Sequence, residues 1–154
     1  MKLYNKHRKV ELIIDDELID KISKSGVEHF PKEFGGFLVG KYSDDFSSLS
    51  ITDYILPKSY KGGRYLFERS SKGMKSFFSK LFKKKKEYYV GEWHTHPNGS
   101  TRFSDTDLNA MINIESSPSV NIRNPVLLIL SVSDKQLNQA TFYIYDNKKL
   151  IPYE

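Results

Sequence analysis

The segment GEWHTHPNGSTRFSDTD, residues 91–107, constrains this chain more than any other. It needs a strand, a tight loop and a helix start in immediate succession. YYVGEWHTHP reads as a strand up to Pro97, NGSTR has the turn chemistry of a loop, and SDTDLNAMINIESS opens with helix-capping residues. Side chains alternate along a strand, so His94 and His96 share a face, with Cα atoms roughly 6.5–7 Å apart. Two imidazoles so placed can close on one ion. Ser104 and Asp107, three apart at a helix start, also share a face and can approach the same point. The seven residues between His96 and Ser104 suffice to turn the chain.

The rest of the chain alternates strand-like and helix-like patterns. Val10 to Ile14 reads as a strand, and Asp15 and Asp16 suit the first turn of a helix that runs to about Glu28, with Leu18, Ile22 and Ser25 on one face. PKEFGGFLVGKY and LSITDYILP form a hairpin across the polar turn SDDFSS, and RYLFERS is a further short strand. Over residues 70–86, Met74, Phe77, Phe78, Leu81 and Phe82 fall at helical spacing, an apolar stripe that reads as core beside a solvated lysine face. In the helix after Ser104, Leu108, Met111, Ile112 and Glu115 fall at helical spacing. PVLLILSVS and QATFYIYD are two closing strands. With no internal repeat and no linker, the expected architecture is one α/β domain over residues 1–154, a mixed central β-sheet flanked by helices.

Composition removes several function classes. No segment approaches the roughly 20 apolar residues of a membrane span. The basic start is followed by only a short apolar run before Asp15, which does not read as a secretory signal, so a cytoplasmic protein is expected. The chain has no cysteine, which rules out thiol nucleophiles, Cys-based zinc sites and the PCxxC pattern of zinc nucleoside deaminases. The HExxH zincin pattern is absent too. Residues 61–86 carry ten Lys or Arg against one acid, Glu68, a segment suited to an acidic partner, a nucleic acid or an anionic membrane.

Catalytic zinc takes three protein ligands and keeps a fourth position open, and His94, His96 and Asp107 satisfy that count. Asp105 is a rival, but as the first helical residue after a Ser104 cap it points away from Asp107. Hydrolysis also requires a carboxylate beyond the ligands to accept a proton from water. Glu92 shares the histidines' strand face, yet its Cα lies roughly 13 Å from that of His96 by strand rise, a position suited to supporting the ligands. Glu33 reaches the site only if its strand lies beside that of His94. Ser104 is fully explained as an N-cap, and capping competes with catalysis for its hydroxyl. Trp93 faces away from the histidines and reads as core, while His7 and His29 have no partners at metal spacing.

The pattern HTHP followed by SDTD, with an upstream Glu before EFGGFLVG-type glycines, resembles the JAMM (MPN-type) metalloprotease family, most closely its bacterial JAB-domain branch, from about Val10 to Tyr145. The resemblance implies zinc on His94, His96 and Asp107, Glu33 as general base and Ser104 as hydrogen-bond donor to the tetrahedral intermediate. It also implies hydrolysis of an amide or isopeptide bond in a ubiquitin-like conjugate. Several bacterial relatives resemble partners of ubiquitin-like conjugation systems in anti-phage operons, removing the modifier from a nucleotidyltransferase, and the resemblance implies such a partner here. Other relatives resemble DNA-repair proteins, which makes a nucleic-acid-associated protein using residues 61–86 the alternative.

Overall fold

The computed structural model describes residues 1–56, 79–117 and 122–154. Its strands are β1 (Lys2–Asn5), β2 (Val10–Ile14), β3 (Gly35–Tyr42), β4 (Ser48–Ile55), β5 (Tyr88–Pro97), β6 (Val126–Val132), β7 (Leu137–Asp146) and β8 (Lys149–Pro152). Its helices are α1 (Asp16–Glu28), α2 (residues 79–85 among those described) and α3 (Asp105–Ser116). The strands form one mixed eight-stranded sheet in the order β1-β2-β4-β3-β5-β6-β7-β8. The pairs β2–β4 and β5–β6 are parallel. Among the described residues, no helix is long and apolar enough to cross a membrane.

The position of β6 follows from its sequence. VLLILSV lacks alternation, as expected of a strand covered on both faces, and it is buried at every position. Val126, Leu128, Leu130 and Val132 join Ile19 and Ile22 of α1 in one core cluster. Leu127 and Ile129 join Met111 and Ile114 of α3 in a second, on the other face. His94 is the register partner of Ile129, so the histidines stand on the α3 face of the sheet. Trp93, 1% exposed, fills the α1 side as expected.

The β3–β4 hairpin forms as the sequence suggests, with partners from Phe37↔Ile55 to Tyr42↔Leu49. Two edge strands, β1 and β8, were not among the expected elements. Both are only four residues long and carry little periodicity. Beyond β8, the backbone of Glu154 exchanges hydrogen bonds with Tyr4 at 2.8 and 3.0 Å, tying the two edges of the sheet together.

The helices differ from expectation in their buried faces. α1 buries Ile19, Ile22, Ser23 and Gly26, with Leu18 partly buried against the same cluster and Ser25 half-buried, so the buried face is wider than the expected one. The Ser23 hydroxyl donates back to the Ile19 carbonyl at 2.7 Å, which makes its burial tolerable. Gly26 sits so close to β5 that a Cβ would lie 2.5 Å from Thr95 Cγ2. α3 buries Asp107, Met111 and Ile114, and Glu115 is exposed. In α2, Phe82 is 48% exposed rather than core, held under Lys86 Nζ. Met74, Phe77, Phe78, the expected strand RYLFERS and most of the basic segment 61–86 lie outside the described residues.

Candidate metal centre

Three local structures deliver the ligand atoms. β5 carries His94 and His96 on one face. The connection from β5 to α3 is pinned to the sheet at several points. Asn98 N donates to the Val132 carbonyl at 2.8 Å, and the Ser131 hydroxyl donates to the Gly99 carbonyl. The Tyr143 hydroxyl donates to the Thr101 carbonyl at 2.8 Å, and the Thr101 and Thr141 hydroxyls are 2.7 Å apart. α3 then starts with a capping box. Asp107 N donates to Ser104 Oγ at 3.2 Å, while Ser104 N donates to Asp107 Oδ2 at 2.7 Å. Asp107 is therefore held by backbone geometry and is only 1% exposed, whereas Asp105 is exposed.

The result is a compact triangle. His94 Nε2 lies 3.2 Å from His96 Nε2 and 3.1 Å from Asp107 Oδ1. His96 Nε2 lies 3.3 Å from Asp107 Oδ2. Bonds of about 2.0–2.1 Å at tetrahedral angles put donor atoms about 3.3 Å apart, and the His94–His96 and His94–Asp107 Oδ1 separations are close to that spacing. His96 Nδ1 donates to the Ser100 carbonyl at 2.8 Å, which leaves Nε2 as the lone-pair nitrogen of the neutral ring. The donor set fits a divalent metal.

Electrostatics at the triangle follow from the same contacts. Burial pushes the Asp107 carboxyl up, but hydrogen bonds from His94 and His96 outweigh it and hold the group well below the usual carboxylate range. The hydrogen bond to Asp107 raises His96 above an ordinary histidine, helped by the charge of Glu33.

Glu33 comes into the neighbourhood through strand pairing. Gly35 is the register partner of His94, Thr95 N donates to the Phe34 carbonyl at 2.8 Å, and Phe34 N donates to Thr95 Oγ1 at 3.0 Å. Glu33, the next residue back, lines a cavity together with His94, Asp107, Glu92 and Met111. The condition that its chain run beside β5 is met.

Glu92 lies outside the triangle and lines the same cavity. Burial pushes its carboxyl up to about 8, opposed by the Tyr89 hydroxyl, which donates to Oε2 at 3.4 Å. His7 pairs with Asp146 at 2.9 Å, and His29 stacks on Phe34 at 3.5 Å, both apart from the triangle. The loop-pinning residues Ser131, Thr141 and Tyr143 were missed in the sequence. Only Ser131 left a signal there, as a polar residue inside an apolar run.

A family model described as prokaryotic homologs of the JAB domain matches residues 15–143. The chain belongs to this family. The JAB domain is 34% identical over 116 residues to a "CD-NTase/cGAS isopeptidase" of Enterobacter hormaechei subsp. hoffmannii (strain UCI 50). That match covers 75% of this chain but 62% of the relative, so the chain spans less than two thirds of its length. Among solved structures, protein DSY2949 from Desulfitobacterium hafniense superposes with a TM-score of 0.65 at 12% identity, covering 92% of this chain and 88% of the other. A protein from Salinibacter ruber gives 0.55 at 18% identity, covering 92% and 86%. At such identities these two likenesses speak for the fold alone.

Proposed function

We propose that this JAB domain is a zinc-dependent isopeptidase or peptidase acting in the cytoplasm, which hydrolyses the amide bond joining a ubiquitin-like modifier or protein tail to its target. The observation that carries this reading is the His94–His96–Asp107 cluster, whose Nε2–Nε2 and His94 Nε2–Asp107 Oδ1 separations are close to those of donors on one zinc ion. Bound there, zinc lowers the pKa of water and polarises a carbonyl. The isopeptidase name of the Enterobacter relative supports an isopeptide bond, and its CD-NTase/cGAS designation supports a nucleotidyltransferase as the conjugated protein.

The chain's own residues supply the remaining chemistry. Glu33 accepts a proton from water as the water oxygen bonds to the scissile carbonyl carbon. It then delivers that proton to the leaving amine as the C–N bond breaks. The Ser104 hydroxyl donates to the oxyanion of the tetrahedral intermediate. Capping does not exclude this role, because it uses an oxygen lone pair whereas donation uses the hydroxyl proton. The competition expected from sequence is therefore not a physical conflict.

The decisive experiment measures zinc content together with cleavage of a ubiquitin-like protein joined through its C-terminus to a lysine side chain. One zinc per chain with chelator-sensitive cleavage is expected, and loss of both in His94→Ala. Normal zinc content in that variant, or cleavage insensitive to chelation, overturns the assignment.

A further inference from the structure

At the end of β3 and β5 remote from the metal centre, the chain presents two phenylalanines where stability does not ask for them. Phe46, at the tip of the β3–β4 hairpin, is 43% exposed and has φ 58°, a left-handed conformation that a bulky residue adopts only at a cost. The tip is over-determined. Asp45 Oδ1 accepts from the hydroxyls of Ser43 and Ser47, both at 2.7 Å, and from Ser47 N at 3.0 Å. Phe46 N donates to the Ser43 carbonyl at 2.9 Å. An asparagine or glycine would satisfy this turn without strain, so the benzyl group is held outward by a rigid frame.

Across a groove stands Phe82 of α2. Lys86 follows that helix with φ 59° and donates its N–H to the Phe82 carbonyl at 2.9 Å, which carries its ammonium back to 5.3 Å from the Phe82 ring centroid. Arg123 lies in the same relation to Phe46, at 5.2 Å. Tyrosines fix the floor between them. The Tyr88 hydroxyl accepts from Tyr42 N at 2.8 Å, and the Tyr42 hydroxyl donates to the Asn124 carbonyl at 3.1 Å.

We propose that this groove is a docking surface for an acidic protein segment, one that inserts an apolar side chain between Phe46 and Phe82 and places carboxylates on Lys41, Lys86 and Arg123. Charge complementarity selects this occupant. The groove is flanked by these exposed cations, and Lys83, Lys84 and Lys85 of α2 extend the positive field. Asp44 at the groove and Asp45 in the adjoining turn are the opposing charges, outnumbered by these cations, and Asp45 spends its Oδ1 on the turn's own donors. Rigid aromatic and arginine side chains are the types that concentrate binding energy in protein interfaces. A nucleic acid fits less well, because base stacking needs open ring faces. Each phenylalanine here has a cation over it and a tyrosine ring tilted against it, at 5.5 Å for Tyr42 and 6.1 Å for Tyr88. The surface lies roughly 20 Å from the metal centre, the length of β5 between Tyr88 and His94, so it does not depend on the chemistry proposed there.

The test titrates the full chain with a fluorescently labelled peptide of leucines set among glutamates, and in parallel with single-stranded oligothymidylate, at low and high salt. Amide chemical shifts map where each probe lands. The expected result is salt-sensitive peptide binding with shifts at Phe46, Tyr88 and Arg123. It weakens about tenfold or more in the Phe46→Ala/Phe82→Ala double variant, whose thermal midpoint and zinc content stay unchanged. Equal peptide affinity in that variant, no peptide binding at all, or oligothymidylate occupying the groove in preference to the peptide overturns the proposal. An inactive metal centre leaves it standing.

Discussion

Gly35 stands directly opposite His94 in the antiparallel β3–β5 ladder, and this pairing brings Glu33 to the ligand triangle from sixty-one residues away. A Cβ at Gly35 would lie 2.3 Å from the Trp93 carbonyl oxygen and 2.9 Å from His94 Cβ. Both obstacles belong to a strand fixed on its other side by β6. Gly35→Ala is therefore expected to lower stability by about 1–3 kcal/mol as the ladder opens, and to weaken zinc binding because His94 moves with it. Denaturant unfolding and a zinc titration on the same samples check both effects.

Glu33→Gln removes the proton-accepting oxygen while keeping the side chain's size. Since Glu33 lies outside the triangle, zinc content is expected to remain at the wild-type level while cleavage falls about 10²–10⁴-fold. Full activity in this variant would sink the base assignment without touching the metal site.

Ser104 serves two proposed purposes that substitution can separate. Glycine is nearly as good an N-cap as serine, whereas alanine costs about 1 kcal/mol. Ser104→Gly is thus expected to unfold close to the wild-type temperature, and Ser104→Ala several degrees lower. Both lack the hydroxyl, so both should lose about 10²–10³-fold in kcat. If only the alanine variant loses activity, the serine is a cap and nothing more.

Protons compete with the metal at the triangle. His96 is raised by its hydrogen bond to Asp107, so in the metal-free protein that pair stabilises the fold below the ordinary histidine pKa. This contribution disappears as pH rises through the raised value. Zinc needs the neutral ring and so shows the opposite trend. The gain in thermal midpoint on adding zinc is expected to grow from pH 6 to pH 8, measured by paired melts with zinc and with chelator. A gain independent of pH would mean that His96 is not a ligand.

The central fold was legible because its signals were local. Strand alternation put His94 and His96 on one face, an unbroken apolar run marked β6 as doubly covered, and Ser104 announced the start of α3. What was not legible depended on neighbours distant in sequence. That the buried face of α1 extends to Gly26 depends on its meeting Thr95, a contact no periodicity records. Phe82 matched an apolar stripe, yet it stands at the surface under Lys86. The short edges β1 and β8 exist through pairing rather than propensity. Within the site, the candidate ligands could be read from one segment, but the approach of Glu33 depended on strand order.

Glu92 gives a pH signature of its own, because its carboxyl ionises at well-separated pH values in the folded and unfolded chain. In the unfolded chain it ionises near pH 4.5, whereas burial beside Phe37 and Leu127 delays ionisation in the folded state to about 8. Between these values the folded protein holds a proton that the unfolded chain has released, so stability falls as pH rises, and the loss is complete above about 8. Glu92→Gln keeps an acceptor for the Tyr89 hydroxyl and removes the ionisation. Its stability relative to wild type should be nearly equal at pH 4 and should climb to an advantage of a few kcal/mol by pH 8. Urea unfolding of both proteins across this range tests it. A constant difference would show that Glu92 ionises at its ordinary pKa, with solvent reaching the cavity behind the candidate metal ligands.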